Sequence, residues 1–368
     1  MSKRIVIFST AYAPLIGGAE IAVRELTDRL VDFDFVLVTA RIKPELAREE
    51  MIGRVKVIRV GNGGRFDKLL LWWNGWKAAR AEGDFDLIWG VMASYGGLAA
   101  LRYKKKNPTV PFFLNLQEGD SLTHIYARAW WVWPWFKQIF TRANYIQTLS
   151  VYLAEWAKKM GANCPVTVVP NGVALPGVEN YYRKDTDSKK TILSVSRLVE
   201  KNGLEYLIQA MVDLPADYEL QIVGNGPLRL RLDRVVSELK LMNRVMFIGE
   251  IPNHDLPKYY AKANVFVRPS LSEGLGISFL EAMHLGVPVI ATQIGGIPDF
   301  LENGVTGWFC KVRDPHDIAE KIKYVLDEKN ADEVARVTKQ AKELVAKKYS
   351  WELVTEQMRK IFNTICGS

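Results

Sequence analysis

Residues 265–296 read VFVRPSLSEGLGISFLEAMHLGVPVIATQIGG. An apolar run, Val265–Val267, ends in a polar turn. A helical pattern opens at Gly274-Leu275-Gly276, and a second apolar run, Val287–Thr292, closes the stretch. Continuously apolar runs belong to parallel strands covered on both faces. The stretch is therefore strand–helix–strand, the unit of doubly wound α/β sheets. In such sheets ligands bind beyond the carboxyl ends of the strands. Here Glu273 follows the first strand, and Glu281 falls in the second turn of the helix, its side chain leaning back toward the N-terminus. Both carboxylates are expected to reach one pocket. Carboxylates accept hydrogen bonds and so suit sugar hydroxyls; the amides of Gly274, Leu275 and Gly276 suit phosphate oxygens. A ligand with both groups is a nucleotide sugar.

The same alternation extends outward on both sides. Upstream, apolar runs at Thr191–Ser196, Glu219–Val223 and Val245–Ile248 alternate with helical patterns, and after Asp314 the chain reads as helix to its end. Arg197 and Lys201, in SRLVEKNG, follow the strand Thr191–Ser196 at its carboxyl end. A planar guanidinium fork and an ammonium point charge four residues apart can clamp a diphosphate. Val223-Gly224-Asn225-Gly226-Pro227 repeats the strand–turn–helix arrangement, with Pro227 expected in the first turn of its helix. Gly224, Asn225 and Gly226 allow a close backbone approach to a nucleotide, but Arg229 stands where a dinucleotide fingerprint wants Gly or Ala. A nicotinamide dehydrogenase is thereby disfavoured.

The first half holds a second such domain. Its strands are expected near Arg4–Ser9, Phe35–Thr39, Val55–Val60, Leu87–Val91, Pro111–Leu116, Tyr145–Leu149 and Val166–Val169. The loop after the first strand ends in Gly17-Gly18 before a helix, a place where amides and the helix dipole favour an anion. Pro170-Asn171-Gly172 then opens a stretch rich in Gly, Pro and charge. The expected organisation is a domain over 1–172, a linker over 173–190, a domain over 191–349 and a final helix over 350–368. Ser350 is its expected N-cap. Two facing domains would share a site.

The chain has 368 residues, 48% hydrophobic and 24% charged, which fits two globular domains. Three cysteines and four histidines without metal-ligand spacing exclude a disulfide framework and a structural zinc. Asp32-Phe33-Asp34 and Asp84-Phe85-Asp86 resemble a metal-binding Asp-x-Asp but precede their strands, and are read as turns; no metal is expected. No apolar run reaches the length of a membrane span. Ala11-Tyr12-Ala13 mimics a signal-peptidase site, but Ile5–Phe8 is too short a core for a signal peptide, so a cytoplasmic protein is expected.

Charge is uneven. Residues 1–178 hold 23 Lys and Arg against 15 Asp and Glu, and the remainder holds 26 of each. Seven of the eleven tryptophans fall in two clusters, Trp72, Trp73, Trp76 and Trp130, Trp131, Trp133, Trp135. Tryptophan among basic and aliphatic residues suits an anionic membrane surface better than nucleic acid. The segment Arg65–Arg80 reads equally as an interfacial helix at the inner membrane face and as a core-facing helix with snorkelling ends.

SEGLGISFLEAM, GVPVIAT and GGIPDFLENGVTGW, with GGAE at Gly17–Glu20, PNGV at Pro170–Val173, SRLVEKNG, VGNGP and YSWE at Tyr349–Glu352, resemble the retaining glycosyltransferases of family 4 across nearly the whole chain. The resemblance implies a GT-B fold, in which the last helix crosses back onto the first domain. It implies that Arg197 and Lys201 hold the donor diphosphate, Glu281 the ribose, and Glu273 the transferred sugar. Gly18 would approach the diphosphate. The donor is a substrate, no cofactor is implied, and the acceptor is a glycan or lipid-linked hydroxyl. Family members commonly carry His after the strand Pro111–Leu116; here Gln117 stands there, which donates a hydrogen bond but does not titrate. Glu118, Asp120 and His124 are its polar neighbours. Two mechanisms remain open: the departing phosphate takes the acceptor's proton, or Glu118 is a covalent nucleophile. A non-catalytic nucleotide-sugar or membrane-surface binding protein, or a GT-B epimerase or phosphorylase, is the alternative function.

Overall fold

The computed structural model describes residues 2–15, 17–174 and 189–367. Most of the expected linker, residues 175–188, lies outside the described residues. The chain forms two compact units. The first comprises Met1–Glu118, Leu122–Gly172 and Trp351–Ser368; the second comprises Gly119–Ser121 and Val173–Ser350.

The first unit is built on β1 (Lys3–Ser9), β2 (Phe33–Ala40), β3 (Glu49–Ile52), β4 (Val55–Val60), β5 (Leu87–Val91), β6 (Phe112–Leu116), β7 (Tyr145–Thr148) and β8 (Val166–Val168). They order as β3-β4-β2-β1-β5-β6-β7-β8, parallel except for the β3–β4 pair. Its helices are α1 (Gly18–Arg29), α2 (Asp67–Ala81), α3 (Tyr95–Lys106), α4 (Leu122–Ala129), α5 (Trp133–Thr141) and α6 (Val151–Lys159). The central strands are fully buried, as continuous Val/Ile/Leu/Phe runs require.

The second unit has β9 (Lys190–Val195), β10 (Tyr218–Val223), β11 (Val245–Gly249), β12 (Val265–Arg268), β13 (Val289–Thr292) and β14 (Trp308–Cys310), all parallel in the order β11-β10-β9-β12-β13-β14. Helices α7 (Leu204–Ala210), α8 (Arg229–Glu238), α9 (Leu256–Tyr260), α10 (Ile277–His284), α11 (Pro315–Leu326) and α12 (Ala331–Lys348) accompany it. Strand order reverses direction at β9 and β12, so the crevice beyond their carboxyl ends is the topological switch point where α/β sheets take ligands.

The last helix, α13 (Trp351–Cys366), belongs to the first unit. Trp351, Val354, Met358 and Phe362 join a core containing Ile5, Phe33, Trp89 and Phe113. The Phe362 ring meets Phe33, Trp89 and Phe113 edge-on at 5.6, 5.3 and 5.2 Å. Burying one such ring stabilises by about 1.5–3 kcal/mol.

Several expectations need correction. The strand β3 was not anticipated, because its EEMI sequence has no apolar run; three of its four residues are exposed on the sheet edge. Asp34 is inside β2 and not in a turn. Pro227 lies in a turn two residues before α8 begins and is not a helix residue. The segment Arg65–Arg80 folds as α2, which buries Leu71, Trp72, Gly75 and Ala79 against α3 and β2. Its inner face is therefore core-facing. Among the described residues no helix is long and apolar enough to cross a membrane.

Candidate functional site

In the second unit the loops leaving β9, β10, β12 and β13 interlock through glycines. Leu198 N donates to Asn225 O at 3.0 Å and Leu228 N to Leu198 O at 3.1 Å. A Cβ on Gly224 would stand 2.0 Å from Ser196 O, and one on Gly226 2.5 Å from Leu198 O. The two glycines thus let the β10 loop press against the backbone that bears Arg197. Lys201 O accepts from Leu271 N at 2.6 Å, which ties the β9 loop to the β12 loop. Gly295, at φ +55°, brings the β13 loop under Glu273, where a Cβ would lie 2.0 Å from Glu273 O. Asn202 Nδ2 donates to Arg197 O at 2.6 Å. The functional side chains therefore rise from a rigid lattice of backbone contacts.

Glu273 sits at its centre. Arg268, the buried last residue of β12, donates to one Glu273 oxygen, and Gly274 N donates to the other at 3.0 Å. Arg268 also donates to Ser270 Oγ at 3.1 Å and Ser278 Oγ at 2.8 Å, and its guanidinium lies 4.2 Å above the Phe279 ring. Gly276, at φ +87°, makes room for this packing; a Cβ there would stand 2.8 Å from an Arg268 nitrogen. Leu275 is buried.

Glu281 accepts from Tyr260 Oη at 2.8 Å. Burial pushes its carboxyl pKa up, against the lowering pull of that hydrogen bond and of Arg268. Tyr260 is pushed well above its ordinary value, by burial first and then by the Glu281 charge.

Lys201 completes the cluster. The point where a Cβ on Gly119 would sit is 2.9 Å from Lys201 Nζ, 3.5 Å from Glu273 Oε1 and 3.7 Å from Gly274 N. A cation, a carboxylate and a backbone donor thus surround one small volume beside a residue that has no side chain. Lys201 pairs with Asp120 at 3.1 Å, and Ser272 Oγ donates to Gly119 O at 3.2 Å. Arg197 is exposed, and among the described residues its guanidinium has no hydrogen-bond or ion-pair partner. So the structure gathers Lys201, Glu273 and Gly274, links Glu281 to them through the field of Arg268, and leaves Arg197 turned to solvent. Arg268, Tyr260 and Gly119 were missed by the sequence reading.

In the first unit Gly17 caps α1 in extended conformation. A Cβ on Gly18 would meet nothing within 4 Å, whereas one on Gly17 would meet the Glu20 carboxylate at 2.5 Å. The Glu20 pKa is raised by burial and held back by hydrogen bonds from its own and the Gly17 amide. A carboxylate thus already occupies the positive end of α1. Thr10 ties this loop to α3, accepting from Gly96 N at 3.1 Å. Gln117 and Glu118 follow β6 and are buried. Asn171 Nδ2 donates to Gln117 Oε1 at 3.0 Å, and Gln117 Nε2 donates to Asn115 Oδ1 at 2.7 Å. Asn115 donates in turn to Gln147, and Gln147 to Val169 O. Glu118 Oε1 accepts from Ala93 N.

Comparison with known proteins follows the division into two units. Residues 16–175 match the family described as Glycosyltransferase Family 4, and residues 182–344 match Glycosyl transferases group 1. MJ1178 of Methanocaldococcus jannaschii, described as an uncharacterized glycosyltransferase, is 26% identical over 98% of both chains. WcaL of Escherichia coli, named for colanic acid biosynthesis, is 28% identical over 63% of this chain; the match spans 59% of its own length. Among solved structures, sucrose-phosphate synthase of Thermosynechococcus elongatus superposes with a TM-score of 0.85 at 22% identity, covering 99% of each chain. Alr3699/HepE of Anabaena, in complex with UDP-glucose, gives 0.81 at 18% identity over 98% of this chain and 99% of its own. The fold is GT-B.

Proposed function

The chain belongs to glycosyltransferase family 4, and on that premise we propose that it moves a hexose from a nucleotide-diphosphate sugar to a hydroxyl of a glycan or lipid-linked acceptor, with retention of the anomeric configuration. The observation that carries the reading is the convergence of Lys201 Nζ, Glu273 Oε1 and Gly274 N on the volume beside Gly119. The cation matches a diphosphate; the carboxylate, oriented by the Gly274 amide, matches sugar hydroxyls. The UDP-glucose complex of the Anabaena protein supports a nucleotide-sugar donor. GDP-mannose, UDP-glucose and UDP-N-acetylglucosamine all have the required groups.

In the proposed reaction the bond between the anomeric carbon and the diphosphate oxygen breaks, and its electron pair leaves with the diphosphate. Lys201, the solvent-facing Arg197 and the amides of Leu275 and Gly276 stabilise that charge. The acceptor oxygen attacks from the same face, and the departing phosphate oxygen takes its proton. Glu281 accepts from the ribose hydroxyls and Glu273 from the hexose. Neither step asks for a protein nucleophile or a metal, and turnover in the presence of EDTA tests the latter point.

The experiment is a donor and acceptor panel, read as nucleoside diphosphate released and product mass, with the new anomer assigned by NMR. Acceptor-dependent release with a retained anomer is expected. Absence of release with every donor, alongside measurable donor binding, would make the chain a binding protein. Dependence on inorganic phosphate would make it a phosphorylase. Glu118→Gln separates the two retaining mechanisms, since it leaves turnover nearly intact unless Glu118 is the nucleophile.

A further inference from the structure

The two tryptophan clusters, more than fifty residues apart in sequence, meet on the surface of the first unit. Trp72 of α2 is buried and packs against Trp73 at 5.1 Å, Trp131 at 6.1 Å and Trp135 at 5.8 Å between ring centres. Around that anchor the outer rings remain open: Trp73 is 49% exposed, Trp131 45%, Trp135 43% and the neighbouring Trp130 74%. Four indoles standing out of one small area exceed what a water-facing surface ordinarily shows.

Cations rim the same area. The Arg102 guanidinium of α3 lies 4.4 Å over the Trp73 ring, and the ammoniums of Lys77 and Lys106 lie 5.9 and 5.4 Å from the Trp76 ring. Lys105 is held below its ordinary pKa by burial first, then by Arg142 and Arg102, so these three charges also crowd together. No compensating carboxylate is encoded nearby: residues 68–81, 87–117 and 121–154 contain neither Asp nor Glu. Among the described residues, Lys77, Arg102, Lys105 and Lys106 have no ion-pair partner.

We propose that this patch of Trp73, Trp130, Trp131 and Trp135, rimmed by Lys77, Arg102, Lys105 and Lys106, docks the first unit onto an anionic phospholipid bilayer. Indoles prefer the headgroup region, where ring and N–H are both satisfied. Lysine and arginine add electrostatic attraction to anionic headgroups near the surface. Charge decides between this occupant and a second copy of the chain. Two copies placed face to face would oppose the same uncompensated cations, whereas an anionic bilayer neutralises them. The proposal stands apart from the assignment of the sugar-transfer site, none of whose residues it uses.

The test is flotation of the full chain with phosphatidylcholine vesicles prepared with and without phosphatidylglycerol. Binding is expected only with the anionic lipid, weakening as salt is added, with a blue shift of tryptophan emission. Trp130→Ser removes the most exposed ring; Lys105→Glu with Lys106→Glu reverses the rim and leaves every tryptophan in place. Each is expected to weaken vesicle binding by about ten-fold or more while thermal unfolding stays unchanged. Equal flotation of the variants and the parent chain would overturn the proposal. So would failure of the parent chain to float with anionic vesicles, stronger binding to a single-stranded oligonucleotide than to vesicles, or a lipid-free dimer that Trp130→Ser dissociates.

Discussion

Arg268 and Glu273 form a nearly buried ion pair, their side chains 7% and 13% exposed, at the end of β12. The guanidinium is held on three further sides, by Ser270, Ser278 and the Phe279 ring. Glu273 is thereby fixed in one rotamer, with its second oxygen turned to the Gly274 amide. Truncating one member of such a pair leaves the other charge in a poorly solvated place. Arg268→Ala should cost about 3–5 kcal/mol in urea unfolding. Arg268→Lys should recover part of that loss but not the donor turnover, because an ammonium does not reproduce the fork. Unchanged unfolding of the alanine variant would remove the pair from the account.

Lys201 is engaged by Asp120. A diphosphate must compete with that carboxylate, which is half exposed and so weakly bound. Asp120→Asn should lower the donor KM by no more than about five-fold, and Lys201→Ala should reduce kcat/KM by about 10²–10³-fold. Steady-state kinetics on the two variants checks both. A rise in donor KM for Asp120→Asn would show that Asp120 itself holds the donor.

Glu281 gives a pH signature. Its carboxyl pKa is raised from 4.5, chiefly by burial, so the neutral form is favoured more in the folded chain than in the unfolded one. Stability from that preference is complete below 4.5 and fades as pH climbs through the raised value. Glu281→Gln should therefore stabilise the fold at neutral pH and lose that advantage in acid. Donor binding needs the opposite form, the ionised acceptor of ribose hydroxyls. Tyr260→Phe deletes a hydrogen bond that pulls the pKa down, and should shift the acid limb of kcat/KM to higher pH. Chemical unfolding across pH and pH–rate profiles measure the two effects.

Gln117 stands inside a relay of buried amides. Both ends of its side chain are committed, and neither titrates. Gln117→Ala should cost about 1–3 kcal/mol, because Asn171 and Asn115 lose their partners in a dry place. The pH–rate profile of that variant should keep the shape of the parent's. A profile that changes form would point to a proton carrier next to this position.

The parallel sheets were legible because their strands are continuously apolar: β4 and β5 have the expected ends at Val55–Val60 and Leu87–Val91. Two edge strands escaped: β3 carries two glutamates and needs only one neighbour, and β14 is only three residues long. At the site, Glu273 and Lys201 stood out as charges in the turns that follow apolar strands, and Glu281 as a charge in the helix opened by Gly274–Gly276. Arg268 did not, because a charge that closes a strand looks like an ordinary terminus until its partner five residues on folds back over it. Gly119 was silent for a different reason. Its importance is the absence of atoms, which only the surrounding Lys201, Glu273 and Gly274 reveal.

Helix α13 follows the whole second unit in the chain, yet Trp351, Met358 and Phe362 finish the core of the unit whose sheet precedes it. On the ribosome, that early unit waits for its final apolar wedge while the whole second unit is being made. Until α13 is made, its sheet is left with an open greasy slot near Phe33, Trp89 and Phe113. The order of manufacture thus runs against the order of burial, and the nascent chain is open to sticking throughout that interval.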